Sequence, residues 1–330
     1  MWQTQVRPIV GQTQLSACST LGWIDEQVQL RYFLGEVCLF RIGLAGKIYR
    51  WPLEPSPYAH PEPTELAIEI PKKISVVVYR GYPISEHLPR LRVFTRSIRY
   101  VDDQGYRYYT DLQGSFEDYL TKFSRKTRET LRRKVKKVAV MNGGAVDCRV
   151  YCAPHQMAEY YRLAREVAVK SYSERLFQGG IPDNQAFRDG MCRLAKEDRV
   201  RGFVLFIRNQ PISYLYLTIE NGIVRSSYLG YNLSYSGSSP GTVLLYLAFE
   251  TLFSERRFRY FDFGYANNQT AHVFSTGKFL RADVYYFSKR VVNYSVVYTH
   301  AAIELFSIFS GRALEAFGLK GLFKKVLRWA

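Results

Sequence analysis

IVRSSYLGY (223–231), NLSYSGSSPG (232–241), TVLLYLAFETLFS (242–254), FRYFDF (258–263) and, after a polar connection, GK (277–278) are the pieces of sequence that decide this fold. The first is β-branched and aromatic and predicts a strand. The second is small and polar, a loop. The third is apolar almost all round and long enough for a buried helix, with Ser238 or Ser239 as cap and Pro240 at its start. FRYFDF returns as a strand that stops at Gly264. A Ser/Gly loop feeding a helix between two strands offers backbone N–H groups and the positive end of a helix dipole. That combination suits a phosphate or pyrophosphate.

Upstream, 201–208, 212–220 and 223–231 predict a three-strand meander, turning at Asn209-Gln210-Pro211 and at Asn221-Gly222. Further upstream lies 115–141, two successive helices capped by Ser115 and Ser124. Leu120, Phe123, Leu131, Val135 and Val138 share one face, and Gly143-Gly144 closes the run. Between Lys122 and Lys137 there are nine Lys or Arg and one Glu. A helix with so much self-repulsion calls for an anionic partner, and Arg128, Arg132, Arg133, Lys136 and Lys137 are the residues expected to meet it. Between the basic helix and the meander, 146–152 predicts a strand, and 154–173 and 187–197 predict helices.

The rest of the chain sets bounds. The 330 residues imply more than one domain, and 47% hydrophobic content with 26 Tyr and 21 Phe excludes disorder. A net charge of +17 points to nucleic acid, phosphate-rich cofactors, anionic membrane or acidic carrier proteins as partners. Five scattered cysteines do not make a disulfide framework, and Cys148 and Cys152 are expected in the core. The opening residues lack a signal-peptide pattern and no apolar run is long enough to span a bilayer, so the expected location is cytoplasmic. Residues 1–108 predict short strands: 37–42 and 47–51 about a Gly-Leu-Ala-Gly turn, 74–79, and a hairpin at 100–109 turning on Asp103-Gln104-Gly105. Five prolines in 52–63 mark an extended loop. The tail, 301–330, predicts a basic amphipathic helix that docks on its own domain or, as an alternative, lies on an anionic membrane.

The segment 109–287 resembles the CelD-like and FemAB-like branch of the GNAT acyltransferase superfamily. The resemblance rests, in order, on TDLQGSFEDYLTKFSRKTRETLRRKVKKV (110–138), KSYSERLF (170–177), NQPISYLYLTIENGIVRSSYLGYN (209–232), SSPGTVLLYLAFETLF (238–253), YFDFG (260–264) and GKF (277–279). It implies a mixed α/β, GNAT-like fold, a tandem of two GNAT-like halves with a helical tail. The domains would be a degenerate half at 1–114, the acyltransferase domain at 115–290 and the tail at 291–330. It further implies that backbone around 228–231 holds an acyl arm and that Ser238, Ser239, Pro240, Gly241 and Thr242 hold the donor's phosphates. Lys278 would complement an anion, and a slot would open between 223–231 and 260–263. The superfamily's usual pyrophosphate loop begins with Gln or Arg, which the loop 236–241 lacks. FemAB-like relatives use aminoacyl-tRNA.

Amide formation by acyl transfer needs a held donor, a polarised carbonyl and a deprotonated amine. Asp262 is the carboxylate best placed by position, at a strand's C-terminal end. His272 titrates in the useful range, and Tyr228 and Tyr231 are candidate proton donors to the leaving group. No Ser/His/Asp elbow, P-loop or metal-ligand pattern is present in the sequence. The expected function is an N-acyltransferase with acyl-CoA or an acyl-carrier-protein thioester as co-substrate, no tightly bound cofactor, and a small-molecule amine as acceptor. The alternatives are an aminoacyl-tRNA-dependent transferase and a non-catalytic nucleic-acid or membrane-surface binder.

Overall fold

The computed structural model describes residues 23–34, 37–53, 70–171, 180–264 and 269–316. In chain order the strands are β1 (Trp23–Leu34), β2 (Val37–Arg50), β3 (Val76–Pro83), β4 (Leu91–Val93), β5 (Ser97–Asp111), β6 (Asp147–Tyr151), β7 (Val200–Ile207), β8 (Gln210–Glu220), β9 (Ile223–Tyr231), β10 (Tyr260–Asp262) and β11 (Gly277–Ser288). The helices are α1 (Phe116–Thr121), α2 (Arg125–Met141), α3 (Met157–Ala168), α4 (Gln185–Lys196), α5 (Pro240–Glu255), α6 (Gln269–Phe274) and α7 (Val291–Ala316). The fold is mixed α/β, as expected. Residues 54–63 of the proline loop, 172–177 of the KSYSERLF run and 317–330 of the tail lie outside the described residues.

Two compact units share the chain. One comprises Tyr106–Lys278; the other comprises Thr20–Gly105 with Phe279–Ala330. The sequence-derived boundaries stood at 114 and 290, whereas the units change over at 105/106 and 278/279, and α7 falls in the same unit as β1.

In the Tyr106–Lys278 unit, β6, β7, β8 and β9 are successive antiparallel neighbours. Strand β10 lies parallel to β9 and antiparallel to the end of β5. Every residue of β7 is buried, because both sheet faces are covered. Phe203, Leu205 and Ile207 join α1, α2 and α5 in one core. Val204 and Phe206 join α3 and α4 in the other. The β7–β8 turn sits at Arg208-Asn209, one residue earlier than expected, and the β8–β9 turn at Asn221-Gly222. All four residues have positive φ, the conformation that tight two-residue hairpins need. Ser115 caps α1 through a reciprocal bond with Asp118, and Ser124 caps α2 through Thr127 N–H, as predicted. Gly144 N–H donates to Ala139 O at 2.7 Å to close α2.

The other unit corrects two expectations. No turn interrupts 37–51: β2 pairs with β1 over its length and runs parallel to β3. Gly46 is there for close approach, since a Cβ would press on Val28 and Val76. There is no hairpin at 103–105 either, as β5 runs through it; the Gln104 amide bonds both Leu88 N–H and Leu88 O at 2.9 Å and pins the strand straight. Strands β1 and β11 had no counterpart in the sequence reading. Asp102, His300 and Glu304 bring ligand-type atoms within 4.8 Å of one another. However, Glu304 is paired with Arg90, and Tyr100 O–H lies 2.7 Å from His300 Nδ1, so the group is a hydrogen-bonded network under α7. Among the described residues no helix is long and apolar enough to cross a membrane.

Candidate functional site

Strand β9 is nine residues long and β10 three. Their register ends at Asp262 opposite Arg225, so residues 226–231 run on past β10. On its other side β9 stays paired with β8, but Tyr216 faces Tyr228 while Leu217 faces Ser226. Ser227 is therefore a bulge, its Oγ 3.0 Å from Thr218 Oγ1. Bulges twist a strand and re-aim its side chains. From Tyr231 the chain turns through a short 3₁₀ segment, Leu233–Ser238, into α5.

The start of α5 is shaped by three residues. Ser239 has φ 53°, a left-handed conformation a serine holds only under constraint. Pro240 occupies the first helical position, where its missing N–H is least felt. Gly241 follows, and a Cβ there would meet only Tyr231, at 3.5 Å, an ordinary contact. Thr242 and Val243 N–H both reach Ser239 O, at 3.0 and 3.2 Å. Ser238 is 3% exposed and its hydroxyl donates to Tyr235 O at 2.7 Å, so it braces the loop. The basic helix comes to the same place: Lys137 Nζ donates to Gly237 O at 2.9 Å. Arg132, Arg133 and Lys136 are exposed, whereas the Arg128 guanidinium donates to Leu120 and Phe123 carbonyls and closes the end of α1.

Asp262, fully buried, is the centre of a charge cluster. Arg107 grips it with Nη2 at 2.6 Å and Nε at 3.1 Å, Arg225 Nε lies at 3.1 Å, and Gly264 N–H donates at 2.8 Å. Burial alone would raise the pKa of this carboxyl. The two guanidinium charges and the Gly264 N–H outweigh it and hold the group far below the usual carboxylate range. Such a carboxylate is a very weak base. Neither arginine was singled out in the sequence. Arg225 stood inside IVRSSYLGY, where a lone charge in an apolar strand was the available signal.

The remaining candidates separate. Tyr228 packs on Phe187 and Tyr216, with ring centroids 5.6 and 6.1 Å away, and burial raises its pKa, so it stays protonated. Tyr231 is half-buried beside Gly241. His272 is exposed, its ring 4.4 Å from that of Tyr108. Since Arg107 and Tyr108 alternate along β5, His272 and Asp262 sit toward opposite sheet faces. Lys278 Nζ lies 4.1 Å from the Tyr106 ring centroid. Gly277 precedes this lysine where the Tyr109 ring fills the space; any Cβ would overlap it.

Residues 125–270 match the family model described as an acetyltransferase (GNAT) domain. No curated protein matches the chain. Among solved structures, a C-terminal DUF2156 domain from Agrobacterium fabrum is similar at 12% identity, over 70% of this chain and 72% of that one, TM-score 0.45. L-PGS from Bacillus licheniformis is similar at 14% identity, over 72% and 73%, TM-score 0.39. FemX is similar at 10% identity, over 58% and 63%, TM-score 0.40. The family match runs from the basic helix to α6 and so takes in the β9–loop–α5–β10 segment.

Proposed function

We propose that this chain is an N-acyltransferase of the direct-attack type. An amine nitrogen bonds to the donor carbonyl carbon, the carbonyl–sulfur bond breaks, the thiolate leaves and the amine proton passes to solvent at the open end of the site. The observation that carries this reading is the overrun of β9. Its residues 226–231 have no β10 beside them and lead straight to the strained Ser239 and to Gly241. An extended acyl arm can pair with that edge as an added strand does, with its phosphates at the helix start. Asp262 then serves as a positioning residue, fixing Arg225 where β9 and β10 part, and no general-base role is assigned to it. Arg225 faces whatever anionic group the acceptor carries.

Gly241→Asp tests the donor site. An added Cβ meets only Tyr231, at 3.5 Å, and an acid in the first helical turn favours the helix, so the fold should stand. Acyl-CoA affinity by calorimetry should fall by at least about 100-fold, the equivalent of two lost charge-assisted bonds. Unchanged affinity in the folded variant overturns the assignment.

One observation favours a second reading. Lys137 fastens the basic helix to Gly237 O, so Arg132, Arg133 and Lys136 share a helix with a residue that touches the donor loop. A donor with many phosphates, aminoacyl-tRNA, would use them all. Ribonuclease-sensitive activity would put this reading first.

A further inference from the structure

Helix α7 has two unlike faces. Asn293, Val296, Val297, His300 and Ser307 are buried, and the inner side is fastened to β1: Tyr32 O–H donates to Val296 O at 3.0 Å and His300 Nε2 lies 3.1 Å from Arg31 O. The outer side is Val291, Val292, Ser295, Tyr298, Thr299, Ala302, Leu305, Phe306 and Phe309, all exposed. Val291 is 83% exposed and Phe309 73%. A solvated helix face carries charge; this one carries none over about 27 Å. An uncharged stripe of that length marks an interaction surface.

The N-terminal end of the same helix is ringed by cations. Arg290 donates to Lys72 O, Lys289 Nζ lies 3.5 Å from Thr95 O, and Asn293 Nδ2 reaches Ser75 O at 3.3 Å. These bonds draw together 71–75, 94–97 and 288–290, which contain Lys72, Lys73, Arg96, Lys289 and Arg290 and no carboxylate. A second copy of the chain could cover the apolar stripe, yet with a net charge of +17 it would bring further cations to this cluster. An anionic bilayer surface serves both, with acyl chains for Val, Leu and Phe and phosphates for Lys and Arg.

We infer that the outer face of α7, with the cation cluster at its N-terminal end, docks this protein on an anionic membrane surface. The helix lies along the surface with Leu305, Phe306 and Phe309 in the headgroup–acyl boundary. This docking is independent of the chemistry proposed above.

The test is co-sedimentation of the full chain with phosphatidylcholine vesicles containing about a quarter phosphatidylglycerol, against phosphatidylcholine alone. Binding is expected only to the anionic vesicles and should weaken as salt rises. Phe306→Gln with Phe309→Gln should reduce it at least about tenfold. Lys72→Gln, Lys73→Gln and Lys289→Gln together should reduce it about 100-fold, each cation being worth roughly a factor of five. All five side chains are exposed, so melting temperatures should hold, which separates docking from folding. Three outcomes overturn the inference. The wild-type chain fails to sediment with anionic vesicles; the phenylalanine variant binds as wild type does; or light scattering shows a dimer that this variant breaks while vesicles bind nothing.

Discussion

Each compact unit buries one aspartate between two arginines and a glycine N–H, and the two clusters end differently. Asp262 takes Arg107, Arg225 and Gly264 N–H. Asp283, also fully buried, takes Arg80 Nη1 at 3.0 Å and Gly81 N–H at 2.7 Å, with Arg281 at 3.9 Å. Gly81 and Gly264 both have positive φ, 70° and 66°, the left-handed turn that aims an N–H back at the carboxylate. Arg281 then finds a second acid, Asp103, at 2.5 Å, so Arg80, Arg281, Asp103 and Asp283 balance. Among the described residues Arg225 reaches no second acid, and its side chain is 44% exposed where that of Arg281 is 4% exposed. The sealed, balanced cluster is core. The open one leaves a cation facing solvent where two strands part.

Removing either aspartate should do the most damage. Asp262→Asn and Asp283→Asn each strand buried guanidinium charge and should lower unfolding free energy by about 3–5 kcal/mol in a denaturant titration. If one is tolerated, the clusters are not equivalent. Acid supplies the same test without mutation. A carboxyl with a folded pKa below its unfolded value contributes stability above the unfolded pKa, near 4, and loses it as pH falls through the folded pKa. Asp262 should therefore hold its place at pH 4 and give way only well below it.

The arginines should split the pair. Arg281→Gln removes a buried charge facing two acids and should cost about 3 kcal/mol or more. Arg225→Gln is screened by solvent and should cost under about 1 kcal/mol. Its effect should appear as a roughly tenfold rise in KM for an anionic acceptor, with kcat little changed. A comparable loss of stability in both would make Arg225 merely structural.

A smaller effect sharpens the comparison from the donor side. Neutralising Arg132, Arg133, Lys136 and Lys137 together should leave acyl-CoA turnover within about threefold, because a thioester nucleotide offers few phosphates. If tRNA is the donor, activity disappears and the wild-type log–log salt slope exceeds about 3.

How much of this could be read from the residues depended on whether a pattern was local. The β9–loop–α5–β10 order, the Ser115 and Ser124 caps and the meander turns were legible because each depends on a few neighbours: a hydroxyl next to a helix, an Asn-Gly between apolar runs. Strand β2 was split in the reading because Gly43 and Gly46 look like turn residues; what they answer to is side chains on β1 and β3. Asp262 was found and its surroundings were missed for the same reason. Its position at a strand end was visible, but Arg107 stands 155 residues away in sequence, and nothing local predicts that grip.

Asp262 occupies the last paired position of β10 and also fixes the angle of Arg225. The residue that decides how far β9 runs alone is thus the one that decides what charge waits there. Variation at neighbouring sites can change loop chemistry or helix charge piecemeal. A change at this one position would alter the width of the gap and the charge beside it in a single step; on the function proposed above, descendants of this chain that accept a different acyl arm should also prefer a differently charged acceptor.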